Sequence, residues 1–186
     1  MHYSQYVSRR IPIIDASIFS IFSTLLFLST SNHIMPNQSI SSLPPLPLPA
    51  GIFSSYVETP DLTYHILEAG FSPSPPKPLI LLLHGFPELA YSWRKIMPSL
   101  ASAGHYVVAY DQRGYGRTSG WDTRPFSDVA LDSFRFTSIV ADAVRLVYAL
   151  GYTEVKCIIG HDFGAVGASL CALIRPDVFK RYEAGV

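Results

Sequence analysis

The sequence predicts an α/β fold, a mostly parallel sheet with flanking helices. Continuous apolar runs at residues 78–83 and 106–110 have the length and composition of strands that are buried on both faces of a parallel sheet. Segments with helical periodicity follow these runs, and the alternation of strand and helix implies right-handed crossovers. With 186 residues, 48% of them hydrophobic, the chain is long enough for one compact domain with its own core.

The first 50 residues differ in composition from the rest and are predicted to precede the domain. An apolar stretch at residues 16–28 follows two arginines, as in a signal peptide, and is short for a membrane span of ~20 residues. Three interpretations stay open: a signal or anchor whose residues 11–30 contact a membrane, an extension upstream of a true start at Met35, or a structured helix. The Ser- and Pro-rich residues 36–50 favour an extended linker.

The domain is predicted to span residues 51–186. It begins with two strands, at 53–58 and 62–67, which a Pro-Asp turn joins. The elements expected after them are a strand at 78–83, a helix at 90–103, a strand at 106–110, a helix at 133–150 that Gly151 ends, a strand at 155–159, a helix at 163–174 and a strand that opens near 181.

Charge and cysteine content argue against several classes of function. Lys and Arg together number 14, as do Asp and Glu, so the chain has no basic excess for nucleic acid. Cys157 and Cys171 lie in apolar runs without other ligands at metal-binding spacing, and we expect no zinc site. These features favour a cytoplasmic enzyme, while the apolar N-terminal segment keeps a secretory or membrane-associated location open.

The segment from Gly160 to Gly164 has the pattern of a tight turn that carries a nucleophile. The sequence Gly-His-Asp-Phe-Gly follows a buried strand and opens a helix, with small residues two positions either side of the central one. Side chains at the glycine positions would collide with the strand and the helix. The central residue, Asp162, is a carboxylate that is ionised at neutral pH next to a helix N-terminus and can form an ester at an sp3 carbon.

A second loop is predicted to supply part of an oxyanion hole. His-Gly-Phe-Pro begins at His84, directly after the first buried strand. In folds with this type of turn, one backbone N–H from such a loop and one from the residue after the nucleophile stabilise a tetrahedral intermediate. The donors here would be the amides of Phe86 and Phe163.

Four motifs in register resemble those of the soluble epoxide hydrolases, in the α/β-hydrolase superfamily. They are His-Gly-Phe-Pro-Glu at 84–88, Tyr-Ser-Trp-Arg at 91–94, Asp-Gln-Arg-Gly-Tyr-Gly at 111–116 and Gly-His-Asp-Phe-Gly at 160–164. The resemblance implies the α/β-hydrolase fold and the opening of a small-molecule epoxide to a vicinal diol without cofactor or metal. It also implies that Asp162 is the nucleophile and that Phe86 and Phe163 are the oxyanion-hole donors.

Other residues of these motifs have two interpretations. His84, Tyr91 and Trp93 are weak candidates for substrate contacts, and the alternative is that His84 is a hydrogen-bonded framework residue and that the two aromatic rings belong to the core. His161 also fits a framework residue better than a proton-transfer group. Asp111, Arg113 and Arg117 are expected to fix their loop through ion pairs and hydrogen bonds rather than to contact substrate.

The chain is expected to be the front part of such an enzyme, truncated before the cap and incomplete at the C-terminus of the fold. The superfamily order is nucleophile, acid, histidine, yet no histidine follows His161. We therefore expect the 186-residue chain to show no meaningful turnover, since loss of the base costs on the order of 10⁴-fold. A haloalkane dehalogenase-like hydrolase and a non-catalytic fragment are the alternatives, although the Phe163 ring lacks an N–H for halide. The sequence leaves the oligomeric state open.

Overall fold

The computed structural model describes residues 43–185, which contain one six-stranded sheet and its helices. The strands are β1 (Ile52–Glu58), β2 (Thr63–Ala69), β3 (Leu79–Leu83), β4 (Tyr106–Tyr110), β5 (Cys157–His161) and β6 (Tyr182–Gly185). The α-helices are α1 (Met97–Ser102), α2 (Phe136–Ala149) and α3 (Phe163–Ile174), and two 3-10 helices span Ala90–Lys95 and Leu131–Phe134.

The sheet runs in the order β1-β2-β4-β3-β5-β6. Strands β4, β3, β5 and β6 are parallel, whereas β1 and β2 add an antiparallel edge. This arrangement confirms the predicted fold class. Because β3 lies between β4 and β5, the loops that follow β3 and β5 meet at one edge of the sheet, as the carboxyl ends of neighbouring parallel strands do.

Alternate residues of the central strands supply two separate cores. Leu81 and Leu83 of β3 pack on one face with α2 and α3, whereas Ile80 and Leu82 pack on the other face with α1 and the first 3-10 helix. All five β3 residues are buried, which is the reason for its unbroken apolar sequence. The two cores fix β3 and β5 from both sides and so hold rigid the strand ends from which the site is built.

Two predicted helices differ from those observed. The single helix expected over 90–103 is a 3-10 helix followed by α1, since Pro98 lacks the amide needed inside a helix and instead occupies its first turn. The helix expected over 133–150 is likewise preceded by a 3-10 turn and begins at Phe136. Gly151, with φ +82°, follows its end as predicted.

The predictions for the first 42 residues lie outside the described part of the chain. These include the membrane contact through residues 11–30 and the alternative start at Met35, and the proposed division of the chain at residue 50 also stays a prediction. Between residues 43 and 185, no helix combines the length and the apolar character needed to cross a bilayer.

Candidate active site

Asp162 lies on a strained turn between β5 and α3. Its backbone has φ 51° and ψ −121°, and it is the only non-glycine residue with positive φ among residues 43–185. A residue other than glycine adopts such a conformation at a cost of about 1–3 kcal/mol, and this strain persists where the surrounding structure enforces it. Both neighbouring elements do so here: β5 pairs with β3 up to Gly160, and α3 begins at Phe163.

The flanking glycines are required by close backbone contacts. A Cβ atom on Gly160 would overlap the Gly164 carbonyl, and one on Gly164 would overlap the carbonyls of Leu83 and His84. A Cβ on Gly85 would lie 2.5 Å from that of Asp162 and 2.7 Å from its Oδ1. Side chains at Gly160 and Gly164 would therefore cause the collisions that the sequence predicts. The loop that contains Gly85 directly contacts the turn that carries Asp162.

The Asp162 carboxylate is exposed and faces backbone donors. The Phe86 amide donates to Oδ1 at 2.9 Å. The amides of Phe86 and then of Phe163 hold the pKa of the Asp162 carboxyl below its usual range, and the positive field of His161 acts in the same direction. Thus the two amides predicted as oxyanion donors converge on one carboxylate. Their catalytic roles stay a prediction.

This depressed pKa has a consequence for the pH dependence of alkylation. Only the carboxylate is nucleophilic, so the rate of ester formation at Asp162 should stay constant as pH falls from about 7 through the range where an ordinary Asp is protonated, near 3.9. It should decline only at lower pH, below the depressed pKa. Initial rates of mass gain between about pH 3 and pH 7, with circular dichroism to confirm folding at each pH, test this. A rate that halves at or above the ordinary Asp pKa would contradict the expectation.

His84 is a framework residue whose tautomer is fixed. Its Nδ1 donates to the Gly85 carbonyl at 2.8 Å, while its Nε2 accepts from the Gln112 amide at 3.1 Å. The Gln112 side-chain amide also donates to the His84 carbonyl at 2.6 Å. Burial lowers the pKa of His84, which keeps the ring neutral as this pattern requires. His84 borders the site pocket, but its ring nitrogens are engaged in holding the Gly85 loop.

Tyr91 and Trp93 lie away from the site pocket. Both rings pack against the core formed with α1 on the opposite face of the sheet. The Tyr91 hydroxyl donates to the Pro47 carbonyl at 2.8 Å. The Arg94 guanidinium stacks over the Tyr91 ring, with its Cζ 4.1 Å from the ring centroid. Their surroundings favour the core alternative, and a substrate contact for either has no geometric support in the described residues.

A pocket of about 210 Å³ lies beside the nucleophile turn. Gly85 and Phe163 border it on the side of Asp162, and its remaining walls include Tyr115, Phe134 and Ile139. Sequence reasoning did not identify these three residues. Tyr115 lies in a loop, Phe134 in the second 3-10 helix and Ile139 in α2. Only the segment around Ile139 has a helical pattern that the sequence reveals. Burial and then the Asp162 charge raise the pKa of Tyr115, so its phenol stays neutral.

Asp111 ties together three segments around the site. Its carboxylate accepts from the amides of Ala90 and Arg117 at 2.9 Å each and lies 2.8 Å from His65 Nδ1. Burial alone would raise the pKa of Asp111, but the hydrogen bonds from His65 and the two amides outweigh it and lower the pKa. Arg113 forms a bidentate ion pair with the buried Asp142 at 2.8 and 2.6 Å. The loop residues thus have the structural partners expected of them.

No metal-binding cluster occurs in the part of the chain that the structure describes: none of its His, Cys, Asp and Glu side chains form a group of three that could hold an ion. The expectation of a reaction without metal or cofactor stays a prediction.

An aspartate on a strained turn between a strand and a helix, with the amides of Phe86 and Phe163 beside it and a mostly parallel sheet below, is the arrangement of an α/β hydrolase. The family described as alpha/beta hydrolase fold matches residues 78–182. This chain belongs to that family.

Its relatives confirm the resemblance to epoxide hydrolases. Epoxide hydrolase A of Mycobacterium tuberculosis is 44% identical over 121 residues, covering 65% of this chain and 34% of that protein. Epoxide hydrolase 3 of Siraitia grosvenorii is 39% identical over 124 residues, covering 67% and 35%. The solved structure of an epoxide hydrolase from an endophytic Streptomyces superposes with a TM-score of 0.63 at 40% identity, covering 73% and 37%. The chain spans about one third of the length of these relatives.

Proposed function

We propose that Asp162 is the nucleophile of an epoxide-opening hydrolase and that the substrate is a small-molecule epoxide. The observation that carries the proposal is the exposed, ionised carboxylate on a strained turn, with the Phe86 amide 2.9 Å from Oδ1. The similarity to proteins named epoxide hydrolases supports the same reaction.

The first step forms an ester. A carboxylate oxygen of Asp162 attacks one ring carbon, the bond from that carbon to the ring oxygen breaks, and the released oxygen takes a proton from water. Ring strain drives the opening. Because the carboxylate is ionised well into the acid range, this step needs no base to activate the nucleophile.

The second step hydrolyses the ester. Water adds to the ester carbonyl with loss of a proton, and the negative charge develops on the carbonyl oxygen. We expect the amides of Phe86 and Phe163 to stabilise that charge, and their action on the Asp162 carboxylate before reaction supports this role. Collapse of the intermediate releases the diol and restores the carboxylate.

The two steps are expected to have very different rates in the 186-residue chain. No histidine lies between His161 and residue 186, so we expect no later histidine to deprotonate the attacking water in a preparation of these 186 residues. Loss of a positioned base costs on the order of 10⁴-fold in hydrolases of this kind. The ester should therefore accumulate, and diol should form far more slowly than the ester does.

Incubation with styrene oxide, followed by peptide mass spectrometry, tests the proposal. The expected result is a mass gain equal to one epoxide on the peptide that carries Asp162. Mild alkaline hydrolysis should then release phenylethanediol. A parallel incubation with 1-chlorobutane, monitored for chloride, separates this reaction from dehalogenation. Label on another residue, or chloride release without epoxide labelling, would overturn the proposal, and absence of any label would favour a non-catalytic role.

A further inference from the structure

The pocket beside the nucleophile turn has walls that come largely from outside the turn. Gly85 and Phe163, which border it, also contact or act on the Asp162 carboxylate. These two residues place the pocket next to the Asp162 carboxylate. Its lining also includes Phe134 and Ile139, both half-buried.

Four polar side chains line the pocket: the phenol of Tyr115, which stays neutral beside Asp162, and three whose groups are engaged elsewhere. The Arg113 guanidinium is paired with Asp142, both ring nitrogens of His84 are hydrogen-bonded, and the Gln112 amide donates to the His84 carbonyl. A charged or strongly polar ligand group would gain little from them and would lose its hydration. The pocket therefore favours an apolar group.

Its size restricts that group further. An apolar cavity of roughly 150 Å³ engineered in another protein binds benzene, whereas drug-sized ligands occupy roughly 300–1,000 Å³. At about 210 Å³, the pocket has room for one six-membered ring with a short substituent. The aromatic walls, which include Tyr115, Phe134 and Phe163, suit edge-to-face contact with such a ring.

Phe134 is held at the pocket wall by contacts on two sides. Its ring packs edge-to-face against Trp121, with centroids 6.2 Å apart. On another side it approaches Gly114, where a Cβ atom would lie 3.2 Å from the Phe134 Cε1. Gly114 has φ +85° and belongs to the motif at 111–116. The glycine therefore makes space for the Phe134 ring, which lines the pocket.

We propose that this pocket binds the substituent of the epoxide, that the substituent is a single apolar ring, and that Phe134 determines which substituents fit. The substrate class is thus mono-aryl or similarly compact epoxides rather than long-chain ones. This inference rests on the proposed function, because only an epoxide-opening reaction makes the bound ring a substituent of the substrate. The binding of the ring can be measured without any reaction.

A titration with unreactive diols tests the inference on the 186-residue chain. Phenylethane-1,2-diol and decane-1,2-diol are added separately to ¹⁵N-labelled protein, and shifts are followed at the amides of Gly85, Tyr115 and Phe134. We expect the aryl diol to bind at least about tenfold more tightly at these positions, which corresponds to about 1.4 kcal/mol. Equal or tighter binding of the decyl compound at the same amides would overturn the inference.

Variants of the wall make the test specific. Phe134→Trp should weaken aryl-diol binding at least about tenfold, since the larger ring fills the pocket. Phe126→Ala is the matched control, because Phe126 is 76% exposed in the same loop region and does not line the pocket. If Phe134→Trp fails to fold, Ile139→Phe replaces it. Unchanged binding in a folded wall variant would contradict the inference.

The outcome is separable from that of the proposed function. If styrene oxide leaves Asp162 unlabelled while the aryl diol still binds beside it, the proposed reaction is wrong and the assignment of the pocket stands. If styrene oxide and 1,2-epoxydecane label Asp162 at equal rates, and Phe134→Trp does not change those rates, the reaction stands and the assignment of the pocket is wrong.

Discussion

Asp162→Asn is expected to abolish the mass gain from styrene oxide, with a fall in the labelling rate of at least about 10³-fold. The amide has nearly the shape of the carboxylate and can still accept a hydrogen bond from the Phe86 amide, so the turn should keep its geometry. It lacks the negative charge that attacks carbon. Intact-protein mass spectrometry over time gives the two rates.

Asp177→Asn is the matched control for this loss. Asp177 is exposed, and its partner Arg175 lowers the pKa of its carboxyl to about 2, so it is fully ionised under the assay conditions. It is not on the turn, and its carboxylate is held by the Arg175 guanidinium and the amides of Asp177 and Val178 rather than by the Phe86 loop. Its replacement should leave labelling unchanged. If both variants lose label alike, charge alone would explain the reactivity and the placement of Asp162 would not matter.

Gly164→Ala should destabilise the fold by about 2 kcal/mol or more. In a helix, alanine is intrinsically favoured over glycine by about 1 kcal/mol, which alone would stabilise α3. However, the new Cβ would overlap the carbonyl oxygens of Leu83 and His84, which are backbone atoms held by the central strand. Overpacking costs typically 1–3 kcal/mol and more where the neighbour cannot move. Urea denaturation measures the resulting loss in the free energy of unfolding.

Gly185→Ala provides the comparison for that measurement. Gly185 lies in the exposed strand β6, its φ is not positive, and the atoms nearest a new Cβ are 3.9 Å away. The change should alter the free energy of unfolding by no more than about 0.5 kcal/mol. A Gly164→Ala protein as stable as Gly185→Ala would show that the turn between β5 and α3 is looser than its contacts imply.

The sheet could be predicted largely from composition, because β3 and β4 are buried on both faces and read as unbroken apolar runs. Strand β5 was less well defined. The sequence predicts a strand that ends at residue 159, yet β5 continues to His161. Strand β3 pairs with it up to Gly160, and β6 extends the pairing to His161, past a glycine that in isolation indicates a turn. Val155, expected within this strand, instead forms a separate bridge with Phe179.

The site could be predicted only where short motifs encode it. The glycines around Asp162 and the loop of Phe86 are local patterns with steric causes, and their contacts are those expected. The pocket walls depend on long-range packing: Tyr115 and Phe134 belong to irregular segments without periodicity. Tyr91 and Trp93 follow a motif near the site in sequence, but the 3-10 helix that carries them places their rings on the far core.

The hydrogen bonds of Asp111 fix three segments around the site relative to one another. One carboxylate fixes strand β2 through His65, the first 3-10 helix through Ala90 and the glycine-rich loop through Arg117. The next residue, Gln112, holds both the ring and the carbonyl of His84. His84 in turn holds Gly85, the residue before Phe86. An insertion or deletion in any of these segments would therefore shift the Phe86 amide relative to Asp162, unless another of the segments changed in length to compensate.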